Sequence, residues 1–493
     1  MAGNEPGRAQ HADQRVGNAG SHAARPESHA RRRHRRARGR GDASGRGRLN
    51  ALWRRDRASE CDKRRIRCRQ GRCRGGRPLG RPGWLGAVPA RRVRQEHAGD
   101  GAPGRHAVPS GRTGQEHAQA RASVSLAWQA GHAGDADWKV ATDRALSAIE
   151  PGGTLGFLYL TEAYAAHAGA ILARAREHTG IKDWTGSVGI GVCATGVEYF
   201  DEPGLTILTG SLQPGAHAVF SGNRRAPRLG DKSQSGADAA FFAVVHADPA
   251  TPDIDELIVD MAGKVSSGYL AGGLSSSRGS TLQIANEVVS GGISGVVLSS
   301  EVAVATRLTQ GCAPLGPRHI VTRSDRNVIA TLDDRPALDV MLADLGCTLD
   351  GLRAAARDTF VGLVVAGAEA SGGGEDYLVR NLIGIDPQKR LVAIGDVPTV
   401  GSTLMFCRRD LASARDDLVR MIYDLKDGLT APPRAALYHA CVGRGASMFG
   451  AKGVELALLR EHLGDVPLAG FYANGEIARN RLYGYTGVLT VFK

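Results

Sequence analysis

Apolar positions along this chain fall into short runs that alternate with one-sided periodic stretches, and the same order of runs recurs. From Leu155 the sequence reads as a strand, LGFLYL, a helix, AYAAHAGAILARAREHTG, a glycine-punctuated strand, SVGIGVCATGVEYF, and a further strand, LTIL. The order returns near the end as AALYHACV, the loop GRGASMFG, the helix VELALLREHLG, and the strands PLAGFYANGEIA and YTGVLTVF. The helix ends share letters, REHTG from Arg176 and REHLG from Arg460. Gly191 and Gly196 match Gly470 and Gly475, with Ala194 and Ala473 between them. A weaker middle copy starts at Phe241: FFAVVHAD, DIDELIVDMAGKV, GYLAGGLSSS, STLQIANEVV and ISGVVLSS.

Self-similarity of this kind sets the architecture, because one strand-helix-strand unit cannot cover both faces of its own sheet. The expected fold class is α+β: two related domains with mixed β-sheets backed by helices, built from repeated strand-helix-strand-strand units. The boundary is expected near Arg307 to Pro317, where Gly and Pro replace strand sequence, so residues 121–308 and 309–493 form the two domains. Glycines inside a strand mark a bulge, a close helix or the approach of a ligand. Residues 409–429 contain an amphipathic helix ending at Gly428, and Asp253 marks a helix start. ASGGGEDY from Ala370 reads as a hairpin loop with Glu375 and Asp376 at its wet end.

Composition splits the chain in two. The formal net charge is +13, yet residues 1–120 alone hold 28 Arg and one Lys against ten acids, so the remainder is mildly acidic. This first segment has only Trp53 and Trp84 as aromatics and is expected to be a disordered Arg-rich tail. It has two readings: a basic arm that holds nucleic acid through phosphate contacts, or upstream sequence joined by a mis-called start, since no Met occurs between Met1 and Met261. Cys61, Cys68 and Cys73 in the tail resemble half of a fungal binuclear zinc cluster whose other three cysteines are absent, so no metal is assigned. Cys193, Cys312, Cys347, Cys407 and Cys441 are odd in number and sit in apolar runs, the usage of a reducing compartment. No apolar run is long enough for a membrane span, and a cytoplasmic protein without a cofactor is expected.

The candidate chemistry lies in YHACVGRGASMFG, from Tyr438 to Gly450. His439 and Cys441 are two residues apart on a strand and share a face, where an imidazole can lower a thiol pKa. The turn offers a second reading. Gly443 and Gly445 free backbone N–H groups at a helix start, and Arg444 between them can fork onto a carboxylate or phosphate. Matching the middle copy to the last places His246 opposite His439 and Asp248 opposite Cys441, so both strand ends can border one cleft. Asn474 and Glu476 on the last glycine strand are candidate contacts for an amino group.

From about Ser123 to Lys493 the chain resembles the FIST family, a sensory module of bacterial signal-transduction proteins whose eukaryotic relatives carry an F-box. The resemblance rests on GCAPLGPRHIVTRSDRNVIATLDDRPALDVM from Gly311, YHACVGRG from Tyr438, LAGFYANGEI from Leu468, GSVGIGVCATGVEY and YLAGGLSSS. It implies an intracellular module that binds small molecules such as amino acids, with no established catalytic activity and no agreed ligand contacts. Relatives often carry a kinase, chemoreceptor or cyclase output, none of which is visible here, so a downstream partner is implied. The expected function is sensing of an anionic or zwitterionic metabolite through Arg444, Gly443, Gly445, His439, Cys441, His246, Asn474 and Glu476. The alternatives are a thiol-dependent enzyme using Cys441 and His439, and a protein tethered to nucleic acid by its tail.

Overall fold

The computed structural model describes residues 127–222, 240–369 and 375–493. The Arg-rich tail with its three cysteines, and most of the expected loop at Ala370, lie outside them. Among the described residues no helix is long and apolar enough to cross a membrane.

The fold is α+β, with mixed β-sheets backed by helices as expected, and three repeated units follow one another along the chain. The first runs β1 (Gln129–Ala133), α1 (Trp138–Leu146), β2 (Leu155–Thr161), α2 (Ala168–Thr179), β3 (Asp183–Gly189), β4 (Gly191–Ala194), β5 (Val197–Phe200) and β6 (Leu205–Gly210). The second runs β7 (His217–Gly222), β8 (Ala240–Ala247), α3 (Ile254–Ala262), β9 (Tyr269–Leu274), β10 (Leu282–Ala285), β11 (Val288–Ser290) and β12 (Ile293–Ser299). The third opens with β13 (Val304–Gln310) and is then interrupted by an insertion. The inserted elements are β14 (Cys312–Pro314), β15 (His319–Asp325), β16 (Val328–Leu332), β17 (Arg335–Pro336), α4 (Ala337–Leu345), α5 (Leu352–Ala355), β18 (Thr359–Glu369), β19 (Glu375–Asp386), β20 (Leu391–Ile394), β21 (Thr403–Arg409) and α6 (Leu411–Asp427). The unit resumes with β22 (Ala435–Cys441), α7 (Ala446–Phe449), α8 (Val454–Leu463), β23 (Leu468–Ala473), β24 (Glu476–Arg479), β25 (Arg481–Tyr483) and β26 (Thr486–Phe492).

Each unit builds the same six-stranded sheet. The orders are β1-β6-β2-β3-β10-β11, β7-β12-β8-β9-β24-β25 and β13-β26-β22-β23-β4-β5. In every sheet the central pair is parallel, joined by a helical crossover: β2 with β3, β8 with β9, and β22 with β23. The last two strands are a hairpin donated by another unit, and the donation is cyclic: the first unit gives to the third sheet, the second to the first, the third to the second. Two sheets therefore contain strands from both sides of residue 308. The run SVGIGVCATGVEYF is accordingly not one strand, because the chain leaves the first sheet at Gly189 and enters the third at Gly191. The insertion forms its own sheet, β21-β15-β16-β20-β19-β18, which closes where β18 pairs β21. Its core packs Val321, Ile329, Val361 and Phe406 against Leu338 and Met341 of α4. The helix α6 ends at Gly428, as its sequence implies, and starts where Asp410 accepts a hydrogen bond from the Ser413 amide at 2.8 Å.

Alternation along the central strands explains the run LGFLYL. Leu155, Phe157 and Tyr159 face inward to a core shared by the three sheets, with Phe242, Val244, Leu437 and Phe471. Leu158 and Leu160 face outward onto α1 and α2. A strand covered on both faces reads as continuously apolar.

The parallel pairs also share a close approach. Gly186, Gly272 and Gly470 sit in register opposite Leu158, Val245 and Tyr438, and a Cβ on any of them would lie 1.8 Å from the carbonyl oxygen of that partner. Gly186, not Gly191, is thus the counterpart of Gly470. A Gly470→Ala substitution must push β22 and β23 apart; a loss of roughly 2–3 kcal/mol of unfolding free energy is expected from overpacking, read as a lower denaturant midpoint. Gly384→Ala on β19, where a Cβ meets nothing within 4 Å and φ is not positive, is the control and should leave the midpoint nearly unchanged.

Candidate functional site

The glycine turn at Arg444 does bind an anion, and the anion is the protein's own. Glu455, in the first turn of α8, receives Arg444 Nε on Oε1 at 2.6 Å, the Tyr438 hydroxyl at 2.6 Å and the Gly445 amide on Oε2 at 3.2 Å. Both charged side chains are fully buried. The Arg444 guanidinium also lies over the Phe449 ring, 5.2 Å from its centroid. The corner is packed: a Cβ on Gly443 would meet the Tyr485 ring at 2.8 Å, and one on Gly445 the Tyr472 ring at 3.4 Å. The expected ligand anchor of Gly443, Arg444 and Gly445 is therefore a structural ion pair, because Glu455 from the first turn of the following helix, α8, reaches back to the guanidinium and to the Gly445 amide at the start of α7.

The matched histidines do meet. His246 on β8 and His439 on β22 each bring Nε2 to within 3.2 Å of the Tyr159 hydroxyl on β2. All three are inward-facing and hold equivalent places, one residue after the partner of the close-approach glycine in their unit. Tyr159 stacks on Phe471 with centroids 5.4 Å apart, and His246 Nδ1 meets Thr185 Oγ1 at 3.4 Å. Register carries the polar character sideways. Tyr159 has Thr206 and Ser187 as neighbours, and His246 has Ser294; Gly273, its other neighbour, pairs with Glu476. The result is a polar belt inside the molecule, set on the apolar belt of Phe157, Val244 and Leu437. The arrangement is a filled core and not the open cleft expected. Asp248 is spent on the Ala250 and Gly291 amides at 2.8 and 3.1 Å, and Asn474 stands exposed at a turn.

One hydroxyl proton serves two imidazoles, so Tyr159 donates to one Nε2 and accepts from the other. With both histidines neutral, they must then be opposite tautomers. Burial keeps them neutral. It lowers His439 to about 3, and it holds His246 well below the ordinary value, with His439 adding to the effect.

Cys441, two residues beyond His439 on the same face, is not activated by it. Burial pushes the thiol up, and the nearby Glu476 carboxyl pushes it further. Its contacts are the Gly443 amide, 3.5 Å from Sγ, the Tyr485 backbone and the Glu476 carboxyl. Glu476 is itself buried, and desolvation raises it to about 8 against hydrogen bonds from the Thr486 amide and hydroxyl at 3.1 and 2.7 Å. Among the described residues no three His, Cys, Asp or Glu side chains are grouped to hold a metal ion.

Open space lies at the other pole, beside the amino ends of β2 and β22. A cavity of about 230 Å³ is lined by Trp128, Gln213, Glu301, Arg434, Phe492 and Lys493, among others. Trp128 stacks on Phe492 with centroids 4.2 Å apart and forms an apolar wall. Glu301, Arg434 and Lys493 are exposed charges around it. Sequence reasoning missed this site and Tyr159 alike. Tyr159 was recoverable by aligning all three units, whereas the cavity residues carry no motif.

Comparison with known proteins gives two matches of family type: residues 154–335 match the FIST N domain and residues 337–479 the FIST C domain. An uncharacterized protein of Mycobacterium tuberculosis is 32% identical over 325 residues, which cover 62% of this chain and 82% of that relative. An uncharacterized protein of Mycobacterium bovis is 34% identical over 212 residues, 42% of this chain and 55% of the relative.

Glu476 makes a signed prediction. Its folded pKa of about 8 lies above the ordinary carboxylate value of 4.5, so its contribution to stability is complete below about pH 4.5 and is lost as pH rises through about 8. The histidines act in the opposite sense, their contribution being lost as pH falls from 6.5 toward about 3. Between pH 6.5 and 8 the wild type should therefore lose on the order of 1–2 kcal/mol relative to Glu476→Gln, measured by denaturant unfolding at each pH. Parallel curves for the two proteins would contradict the buried, protonated carboxyl.

Proposed function

The chain belongs to the FIST family, whose domains are sensory domains of signal transduction, and on that premise we propose that it senses a small anionic or zwitterionic metabolite, such as an amino acid, in the cavity between Trp128 and Arg434. The observation that carries this reading is the cavity itself. Its volume of about 230 Å³ exceeds the 150 Å³ that suffices for a benzene-sized guest, and it joins an aromatic wall to charges of both signs. Arg434 offers a planar fork for a carboxylate, Lys493 a second cation, and Glu301 an acceptor for an ammonium group. The Trp128 and Phe492 rings receive the apolar part of the guest. Its position suits a sensor: the lining comes from the segments that join one unit to the next, so a guest there touches residues before β1, after β6, before β13 and before β22 at once.

A thiol-dependent enzyme is the weaker reading, since burial disfavours the Cys441 thiolate and His439 is engaged by Tyr159. It would require Cys441 to be alkylated faster than the other four core cysteines near neutral pH.

Calorimetry of the full chain against amino acids and small dicarboxylates tests the proposal, with Arg434→Ala and Trp128→Ala as variants. Loss of one charge-assisted pair is worth about 1.5–3 kcal/mol, so Arg434→Ala should weaken binding roughly 10- to 100-fold. No heat from any compound, or unchanged affinity in both variants, would count against the cavity as the sensing site.

A further inference from the structure

The inserted sheet carries a titratable centre that neither the cavity nor the polar belt uses. His319, at the start of β15, is buried, with Nδ1 2.6 Å from Asp333 Oδ2 and Nε2 2.9 Å from Asp344 Oδ2. A carboxylate only accepts, and a neutral imidazole has a single N–H, so two such contacts require the imidazolium. One proton therefore holds two elements. Asp333 belongs to the turn between β16 and β17, where Asp333 and Asp334 take positive φ and the Ile320 amide donates to Asp333 Oδ1 at 2.8 Å. Asp344 lies in the last turn of α4, and the chain entering β15 passes against it: a Cβ on Gly316 would meet its carboxyl carbon at 2.6 Å.

The two carboxylates are not equally secured. Asp333 keeps its backbone donor whatever the state of His319, and the charge of Arg335 on β17 acts on it as well. Asp344, its side chain only 7% exposed, sits at the negative end of a helix, where an anion is disfavoured and a cation favoured. Asp339, the other acid of α4, is paired with Arg390. From β21 the ring meets Leu404, its register partner, and Phe406, both apolar. Burial opposes the charge on His319, but the hydrogen bonds to Asp333 and Asp344 and their negative charges outweigh it and raise its pKa above the ordinary 6.5.

We propose that the inserted sheet is a proton sensor with His319 as its latch: the protonated ring ties α4 to the start of β15, and loss of the proton frees the carboxyl end of α4. A neutral ring keeps one N–H, which the ordered turn at Asp333 retains, so the Nε2 lone pair then faces the Asp344 carboxylate. The sign follows from the raised pKa. The latch is complete below about pH 6.5 and is lost as pH rises through the folded value. It needs no guest in the cavity, so it stands or falls apart from that reading.

The test uses the full chain. Nitrogen-15 spectra of labelled histidines, with His319→Gln to assign the resonances, read the protonation of both ring nitrogens against pH, and hydrogen exchange corrected for its intrinsic rate reads the opening of α4. The wild type should show His319 doubly protonated at about pH 6.5 and losing a proton above it, while α4 opening rises by up to roughly tenfold per pH unit through the same interval. Asp344→Asn should flatten the α4 response, because an amide can donate to the neutral ring. Glu476 lies in another sheet and is untouched by that substitution, so the difference between the two curves isolates His319. A singly protonated His319 at about pH 6.5, or α4 exchange with one pH dependence in both proteins, would overturn the proposal. If Asp344→Asn fails to fold, the wild type decides: α4 opening that tracks the His319 titration supports the latch, and opening independent of it overturns it.

Discussion

Cyclic exchange of hairpins among three sheets is the constraint on which the rest of the structure depends. Each parallel strand pair leaves its outer edge open, and an open edge is a row of unpaired amides and carbonyls. Here each edge is covered by a hairpin from a different unit, so no sheet is complete until all three units are present. The close approach at Gly186, Gly272 and Gly470 repeats in every unit. It brings the three central strands to equivalent places, which is why Tyr159, His246 and His439 converge although they are distant in sequence.

Convergence of three inward strands makes a core whose chemistry changes along its length. At the level of Phe157, Val244 and Leu437 it is apolar; one step toward the carboxyl ends it is a belt of hydroxyls, imidazoles and a carboxyl. A buried polar belt is stable only when its members satisfy one another, and partial satisfaction is costly in a low dielectric. Neutrality lessens that cost. Burial suppresses the charge of both histidines and raises Glu476. A buried charge pair near the belt, Arg444 with Glu455, is held by three hydrogen bonds to the carboxylate.

The two poles therefore divide the labour. The carboxyl ends of the parallel strands, where open α/β sheets hold their ligands, are filled here by the protein's own side chains. Space for an outside molecule is left at the amino ends, where linkers between units meet around Trp128 and Phe492. The inserted sheet hangs between β13 and β22, next to the segment that carries Arg434 into the cavity.

Sequence by itself determined the elements, their order and the fold class, because alternation, capping and glycine punctuation are local: α6 ends at Gly428, and LGFLYL is a strand covered on both faces. It also determined the family and the pairing of His246 with His439, since both rest on short matching strings. Only the tertiary structure decided that the three copies exchange hairpins among three sheets, that Gly186 and not Gly191 answers Gly470, and that the run SVGIGVCATGVEYF crosses from one sheet to another. It alone showed that Arg444 is neutralised from within and that Trp128, Glu301 and Arg434 line one cavity. The reason is physical. Turn chemistry and periodicity are set by neighbours along the chain, whereas which carboxylate reaches a guanidinium, and where packing leaves a hollow, depend on segments that meet only after the sheets have closed.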